Sequence, residues 1–186
     1  MLRRGYRRAF GLLPPLPPEM ILQMVQAHRL FAVGQYSQSA ALLENLGNSA
    51  RASGLPRAPR VFFQAARANW HANQVSHGMD LMRIALDMLV AAGAVGIAGQ
   101  IASLAMTELN GMGHKQEADQ LHDYLVKIPG WQETASETPP EEKAKPALPT
   151  HCKQCGAAVR SDEVDWIDEI TAACAYCGSP IRAEKA

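Results

Sequence analysis

Apolar residues recur at helical spacing through the first two thirds of the chain. In the first such run, Met20, Met24, Ala27 and Phe31 fall three or four positions apart, and Gly34 then interrupts the pattern. This spacing places the apolar side chains on one face of an α-helix. The pattern therefore predicts an amphipathic helix that ends before Gly34.

The same pattern returns five more times before residue 131. The further predicted helices cover about 39–46, 61–72, 78–91, 95–109 and 115–126. The second of them ends near Gly47 or Gly54, and Pro129-Gly130 closes the series. Residues 19–131 are thus predicted to be mainly α, with about six helices of similar length in three hairpins.

Two of these hairpins share a frame of residue types. The first reads Ala27-x-x-Leu30-x-x-x-Gly34-x-Tyr36-x-x-Ser39. The third reads Met106-x-x-Leu109-x-x-x-Gly113-x-Lys115-x-x-Ala118. This frame resembles the core of the tetratricopeptide repeat, which implies stacked helical pairs that bind protein partners. In the middle hairpin Gln74 stands where glycine is expected, and an ordinary helical bundle is the alternative.

Composition divides the remainder of the chain. Residues 1–18 are basic and then proline-rich, and we expect a tail without fixed structure. Residues 132–150 contain four prolines and a single large apolar residue, which predicts a semi-extended, disordered linker. Residues 151–186 contain all four cysteines and form a separate module.

The cysteines form two Cys-x-x-Cys-Gly pairs, made by Cys152, Cys155, Cys174 and Cys177. Two intervening residues let a tight turn direct both thiolates at one ion, and the glycine permits a left-handed backbone. The β-forming residues between the pairs predict a short hairpin or three-stranded sheet, too small to fold without metal. The module resembles a zinc ribbon, which implies one structural Zn²⁺ ion bound by these four cysteines.

Two other chemistries use the same residue types. A thioredoxin-like redox pair is disfavoured because neither pair opens a helix in a βαβ context. Iron in the same four-sulfur geometry stays an open alternative to zinc, since both ions accept thiolate ligands. His151 directly precedes Cys152, but four thiolates already complete a tetrahedral shell.

Charge is unevenly distributed although the formal net charge is zero. The first 70 residues carry nine Lys or Arg and two acidic residues, a balance of +7, and the remainder carries nine against sixteen, a balance of −7. A division of this kind suggests a charged partner or a contact between the two halves. The basic residues near the N-terminus could bind RNA or an anionic membrane, and a solvated terminus is the alternative. The candidate contact residues are Arg3, Arg4, Arg7 and Arg8. Basic residues that extend this character into the helices are Arg51, Arg57, Arg60 and Arg67.

The segment between the cysteine pairs is acidic, and phosphate contact there would be repulsive. We therefore expect the ribbon to contact protein. Trp166 is expected in the core of the small sheet, and it would anchor a partner if it were exposed. The acidic residues are Asp162, Glu163, Asp165, Asp168 and Glu169.

No nucleophile–base pattern or phosphate-binding loop is present, so we expect neither an enzyme nor a small-molecule substrate. Residues 88–106 are almost uncharged and of membrane-spanning length, but their glycines favour two soluble helices that meet at Gly93. The apolar stretch after the basic start is interrupted by four prolines between residues 14 and 18, and no small-residue cleavage site follows, which argues against a signal peptide. A second candidate metal set is interpreted as a solvated helix face: His114, Glu117, Asp119 and His122.

These features together predict a non-enzymatic, zinc-binding adaptor that contacts proteins through its helical repeats and its zinc ribbon. The alternative is a nucleic-acid-associated factor that binds through the basic first half. Cysteines confined to one metal-binding pattern favour a reducing, cytoplasmic compartment. Because the linker is expected to separate the modules, Cys155→Ser is expected to disrupt the ribbon and to leave the helices intact.

Overall fold

The computed structural model describes residues 16–128, 131, 146–161, 164–167 and 170–183. The predicted basic contact residues Arg3, Arg4, Arg7 and Arg8 lie outside the described residues. Most of the predicted linker, residues 132–145, also lies outside them, as do four of the five acidic residues between the cysteine pairs.

The mainly α fold with six helices is confirmed for the described part of the chain. The helices are α1 (Pro18–Ala32), α2 (Tyr36–Ala52), α3 (Ala58–His71), α4 (Val75–Ala91), α5 (Val95–Gly111) and α6 (Lys115–Val126). Helix α2 runs through Gly47, so Gly54 marks its end. Gly93 lies between α4 and α5, as predicted, and no helix of the described residues is long and apolar enough to cross a membrane.

Each helix–helix connection contains one residue in the left-handed conformation. At Gly34, with φ of 79°, the amide donates to the Phe31 carbonyl at 3.0 Å, and the next amide donates to the Leu30 carbonyl at 2.9 Å. All five connections repeat this pair of hydrogen bonds, which satisfies carbonyls that a helix end would otherwise leave unpaired. The left-handed residues are Gly34, Gly54, Asn73, Gly93 and Gly113.

In the middle hairpin, the predicted position of the turn residue is wrong by one. The residue that corresponds to Gly34 and Gly113 is Asn73, with φ of 62°, and not Gln74. Asparagine is one of the few residues besides glycine that adopts this conformation readily. Asn73 lies 39 residues after Gly34 and 40 before Gly113, so the turn recurs at nearly constant spacing.

A small buried residue follows each of these three turns at the same distance. Ser39 of α2 donates from its hydroxyl to the Ala27 carbonyl of α1 at 2.8 Å. A Cβ atom placed on Gly78 of α4 would lie 2.8 Å from the Ala66 carbonyl of α3. The two hairpins therefore approach closely at corresponding positions, and Ala118 is the small residue of the third.

The helices share one apolar core, to which all six contribute. Its largest fully buried side chains include Trp70 and Phe62 of α3, Met82 of α4, Leu109 of α5 and Leu121 of α6. Near its edge, the Tyr124 hydroxyl of α6 donates to the Asp87 carboxylate of α4. Burial, with the hydrogen bond and charge of Asp87, raises the pKa of Tyr124 to about 12, so this contact persists through the neutral range.

A three-stranded antiparallel sheet lies in the cysteine module, one of the two arrangements predicted. Its strands are β1 (Asp165–Trp166), β2 (Thr171–Ala173) and β3 (Pro180–Arg182), in the order β1-β2-β3. The third strand follows Cys177 and was not among the residues predicted to form strands. Ile167 and Ile170, two of the β-forming residues between the cysteine pairs, lie outside the strands and are 54% and 58% exposed.

Candidate metal centre

Each cysteine pair lies on a turn with the same backbone hydrogen bonds. In residues 152–156, the first knuckle, the Gly156 amide donates to the Cys152 carbonyl and the Cys152 amide donates to the Ala157 carbonyl, both at 2.8 Å. In residues 174–178, the second knuckle, the corresponding distances are 3.0 and 2.9 Å. The glycines have φ of 74° and 81°, as the sequence pattern requires.

The segments that flank the two knuckles also correspond. His151 pairs with Ala158 across the first knuckle, and the Val159 amide donates to the Thr150 carbonyl at 2.8 Å. Across the second knuckle, the β2–β3 pairing places Ala172 opposite Ile181. These two residues correspond to Thr150 and Val159, because each lies 22 positions later in the chain, and Cys174 likewise lies 22 positions after Cys152. Two equivalent hairpins therefore carry the cysteines.

The four sulfurs converge in a buried position. The Sγ atoms of Cys152 and Cys177 lie 3.8 Å apart, as do those of Cys155 and Cys174, and all four lie within 4.8 Å of one another. A tetrahedral zinc tetrathiolate with Zn–S bonds of about 2.3 Å has S–S edges of about 3.8 Å. A disulfide would require about 2.05 Å. The cluster therefore fits one ion.

Proximity gives the four thiols unequal proton affinities. Hydrogen bonds from the other three thiols lower the pKa of Cys152, whereas hydrogen bonds to the other thiols raise the pKa of Cys155. Thiolate is the form that binds metal, so binding releases the protons that the cluster still holds. A divalent cation at its centre would stabilise all four sulfurs as thiolates.

The second knuckle contacts the helical domain through a buried arginine. Arg57 directly precedes α3 and is only 2% exposed. Its Nη1 atom donates to the carbonyls of Cys174 at 3.0 Å and Ala175 at 3.2 Å. The guanidinium cation is thereby held beside the site, where a tetrathiolate with bound zinc carries a formal charge of 2−.

The first knuckle contacts α1. His28 Nδ1 lies 2.9 Å from the Cys155 carbonyl oxygen, and since a carbonyl only accepts, the hydrogen resides on Nδ1. Burial lowers the pKa of His28, which favours the neutral ring. Ahead of the same helix, the Leu16 amide donates to the Cys177 carbonyl at 3.0 Å.

An apolar layer connects these polar contacts. Leu16 and one buried residue from each of α1, α2 and α3 pack in one cluster with the four cysteines. From the module, the cluster includes Ala157, Ala175, Tyr176 and Ile181. The helical residues are Met24, Leu46 and Val61.

These contacts do not match the expectation of a module that the linker isolates. The knuckles pack against α1, α2 and the start of α3, and the last residues of the predicted tail, from Leu16 onward, take part. The physical reason is that the linker sequence limits only how far the module can reach. The linker sequence does not indicate whether the module packs against the helices.

The geometry of the centre sets it apart, since two equivalent hairpins bring four buried sulfurs within 4.8 Å of one another. No family model, curated protein or solved structure matches the chain. The likenesses to the tetratricopeptide repeat and to the zinc ribbon therefore remain predictions from the sequence. The convergence of the four cysteines is independent of them.

The second candidate metal set and Trp166 lie apart from the cysteine cluster. Among the described residues, only the four cysteines bring together three or more potential metal ligands. His114, which directly precedes α6, places its Nδ1 atom 4.0 Å from a carboxylate oxygen of Glu117 in the first turn of α6, and the two residues form no larger set. Trp166 is half-buried, and its indole donates to the Ser161 carbonyl at 3.3 Å.

The basic surface is smaller than the sequence indicated. Arg57 is buried against the second knuckle. Arg67 places its Nε atom 2.5 Å from a carboxylate oxygen of Glu108. Two of the four arginines that extended the basic character of the first half are thus engaged within the fold.

Five half-buried side chains, which the sequence did not reveal as a group, form a set of contacts that includes residues from all three helical hairpins. Tyr36 stacks on His71 with ring centroids 5.0 Å apart, and Phe31 contacts both rings edge-on at 5.1 Å. His71 Nε2 lies 3.0 Å from one oxygen of Glu108, whose other oxygen pairs with Arg67. These five residues, here called the polar–aromatic strip, come from three separate stretches of the sequence, and only Tyr36 belonged to a predicted frame.

Proposed function

We propose that this protein is a non-enzymatic adaptor that binds one structural zinc ion and contacts other proteins through its helical domain. The convergence of four buried cysteine sulfurs on two equivalent turns carries the zinc part of this proposal. Four thiolates complete a tetrahedral shell and leave no position for substrate, which favours a structural site over a catalytic one.

The polar–aromatic strip supports a contact surface on the helices. Tyrosine and arginine are enriched among the residues that dominate protein–protein binding energy. The strip joins α1, α2, α3 and α5, and the side chains of Arg67 and His71 are each 30% exposed. A protein segment that lies across α1, the start of α2, α3 and α5 would meet these rings and charges together.

Affinity capture with the full chain tests the adaptor role. Tyr36→Ala removes the ring that stacks on His71, whereas Val126→Ala changes an exposed residue at the end of α6 and serves as the control. We expect binding of any captured partner to weaken by about tenfold or more in Tyr36→Ala, as for the loss of an aromatic anchor. We expect no change in Val126→Ala. Circular dichroism establishes that both variants remain folded.

Equal capture by both variants would contradict a role for the strip. A second candidate function, nucleic-acid association, is favoured by the balance of +7 in the first 70 residues. It would be supported if the chain bound a polyanion column with a steep dependence on salt, and if removal of residues 1–10 abolished that binding. An absence of polyanion binding would exclude it.

A further inference from the structure

Three groups outside the cysteine module donate hydrogen bonds to backbone carbonyls of its knuckles. The helical side supplies the donors: His28 Nδ1, Arg57 Nη1 and the Leu16 amide. A carbonyl in a tight turn points in a fixed direction only while the turn keeps its conformation. The helical domain therefore contacts the features of the module that depend most on an intact metal site.

Both knuckles are contacted at once. His28 contacts the first at Cys155, whereas Arg57 and Leu16 contact the second at Cys174 and Cys177. Among the described residues, the first hairpin has one isolated bridge of its own and does not join the three-stranded sheet. An ion shared by all four sulfurs would fix the relative position of the two hairpins, and the three donors require that position.

We propose that the module is a metal-dependent clasp, in which the bound ion holds the two knuckles in the arrangement that α1 and the start of α3 recognise. This inference rests on the metal binding proposed above. Loss of the ion would separate the knuckle carbonyls from their donors and uncover the apolar layer. The residues uncovered on the helical side are Leu16, Met24, Leu46 and Val61.

Loss of the ion should affect only part of the helical domain. The helices that contribute to the apolar layer are only α1, α2 and α3, whereas the main core extends through α6 and contains no residue of the module. Opening of the clasp should therefore loosen the beginning of the helical domain and leave α4 to α6 in place.

Amide hydrogen exchange on the full chain, with stoichiometric zinc and after chelation, tests the clasp. We expect chelation to raise exchange in α1 by about tenfold or more, as when buried apolar side chains lose their cover. Exchange in α6 should stay within about twofold. The variant Arg57→Met removes the hydrogen bonds from Arg57 to the second knuckle while it keeps all four cysteines. Its control is Arg29→Met, which changes an arginine on the exposed face of α1.

Zinc-loaded Arg57→Met should bind one ion and yet exchange in α1 like the chelated wild type, whereas Arg29→Met should behave like the zinc-loaded wild type. If chelation removes the ion without changing exchange in α1, the clasp is refuted and the zinc site stands. An equal rise across all six helices would refute it as well. A chain that never binds metal refutes the proposed zinc site itself. The wild-type comparison decides the matter if Arg57→Met does not fold.

Discussion

Gly178 and Gly156 occupy the same place in the two knuckles but have different surroundings. A Cβ atom on Gly178 would lie 2.6 Å from Nε and Nη2 of Arg57, whereas on Gly156 the nearest atom would be His28 Cβ at 3.9 Å. The second knuckle therefore requires glycine for two reasons, its left-handed backbone and the guanidinium packed against it. The first knuckle requires it for the backbone alone.

Gly178→Ala and Gly156→Ala should therefore differ in stability. Both place alanine in the left-handed region, at a cost of roughly 1–2 kcal/mol. Gly178→Ala should lose about 1–3 kcal/mol more, because Arg57 must move away from the carbonyls to which it donates. Urea unfolding of the zinc-saturated proteins measures the difference, and equal losses of stability would contradict the described position of Arg57.

At this scale the sequence predicted the cysteines but not the residues that contact them. The Cys-x-x-Cys-Gly pattern is local and has few geometric solutions, so the convergence of its sulfurs could be anticipated. Arg57 was assigned to a basic surface because its burial depends on a module more than a hundred residues away. His28 carried no signal, since its acceptor is a backbone carbonyl that no sequence pattern marks.

Among the helices, Gly78 is a position where two elements approach closely. A side chain there would overlap the indole ring of Trp70 and lie 2.8 Å from the Ala66 carbonyl oxygen. The Ala66 carbonyl belongs to the backbone of α3, which cannot rotate away from the added atom as a side chain can. A Cβ atom on Gly96, near the start of α5, would instead meet no described atom within 4 Å, so this glycine provides a matched comparison.

Gly78→Ala and Gly96→Ala should shift stability in opposite directions. The first should destabilise the fold by about 1–3 kcal/mol, because α3 and α4 must separate. The second should stabilise it by about 0.5–1 kcal/mol, because alanine restricts the unfolded chain and favours helix. Thermal unfolding followed by circular dichroism measures both. A Gly78→Ala protein as stable as the wild type would contradict the described α3–α4 packing.

The order and approximate bounds of the helices followed from apolar periodicity and turn glycines. The middle turn was misplaced by one residue because the frame was searched for glycine, whereas Asn73 provides the same left-handed conformation. The strand after Cys177 was missed because three residues are too few for a pattern of alternation. Its position follows instead from the equivalence of the two knuckle hairpins.

On the scale of the whole molecule, a chain expected to form two separate modules has its cysteine module packed against the first helices. The helical core was predictable because its residues are repeated at fixed spacing. The docking was not, because it depends on donors to backbone carbonyls and on four apolar side chains that any helical domain could bury in its own core. As a result, Cys155→Ser should loosen α1 as well as the module, in contrast to the expectation from the sequence alone.

The central claim is that four cysteine sulfurs bind one zinc ion. X-ray absorption at the zinc edge, on protein purified without added metal and with the metal content determined in parallel, tests it most directly. The account predicts one zinc per chain with four sulfur neighbours at about 2.3 Å, and no bound zinc in Cys155→Ser. Protein that contains no stoichiometric metal, or zinc surrounded by oxygen and nitrogen, would contradict it.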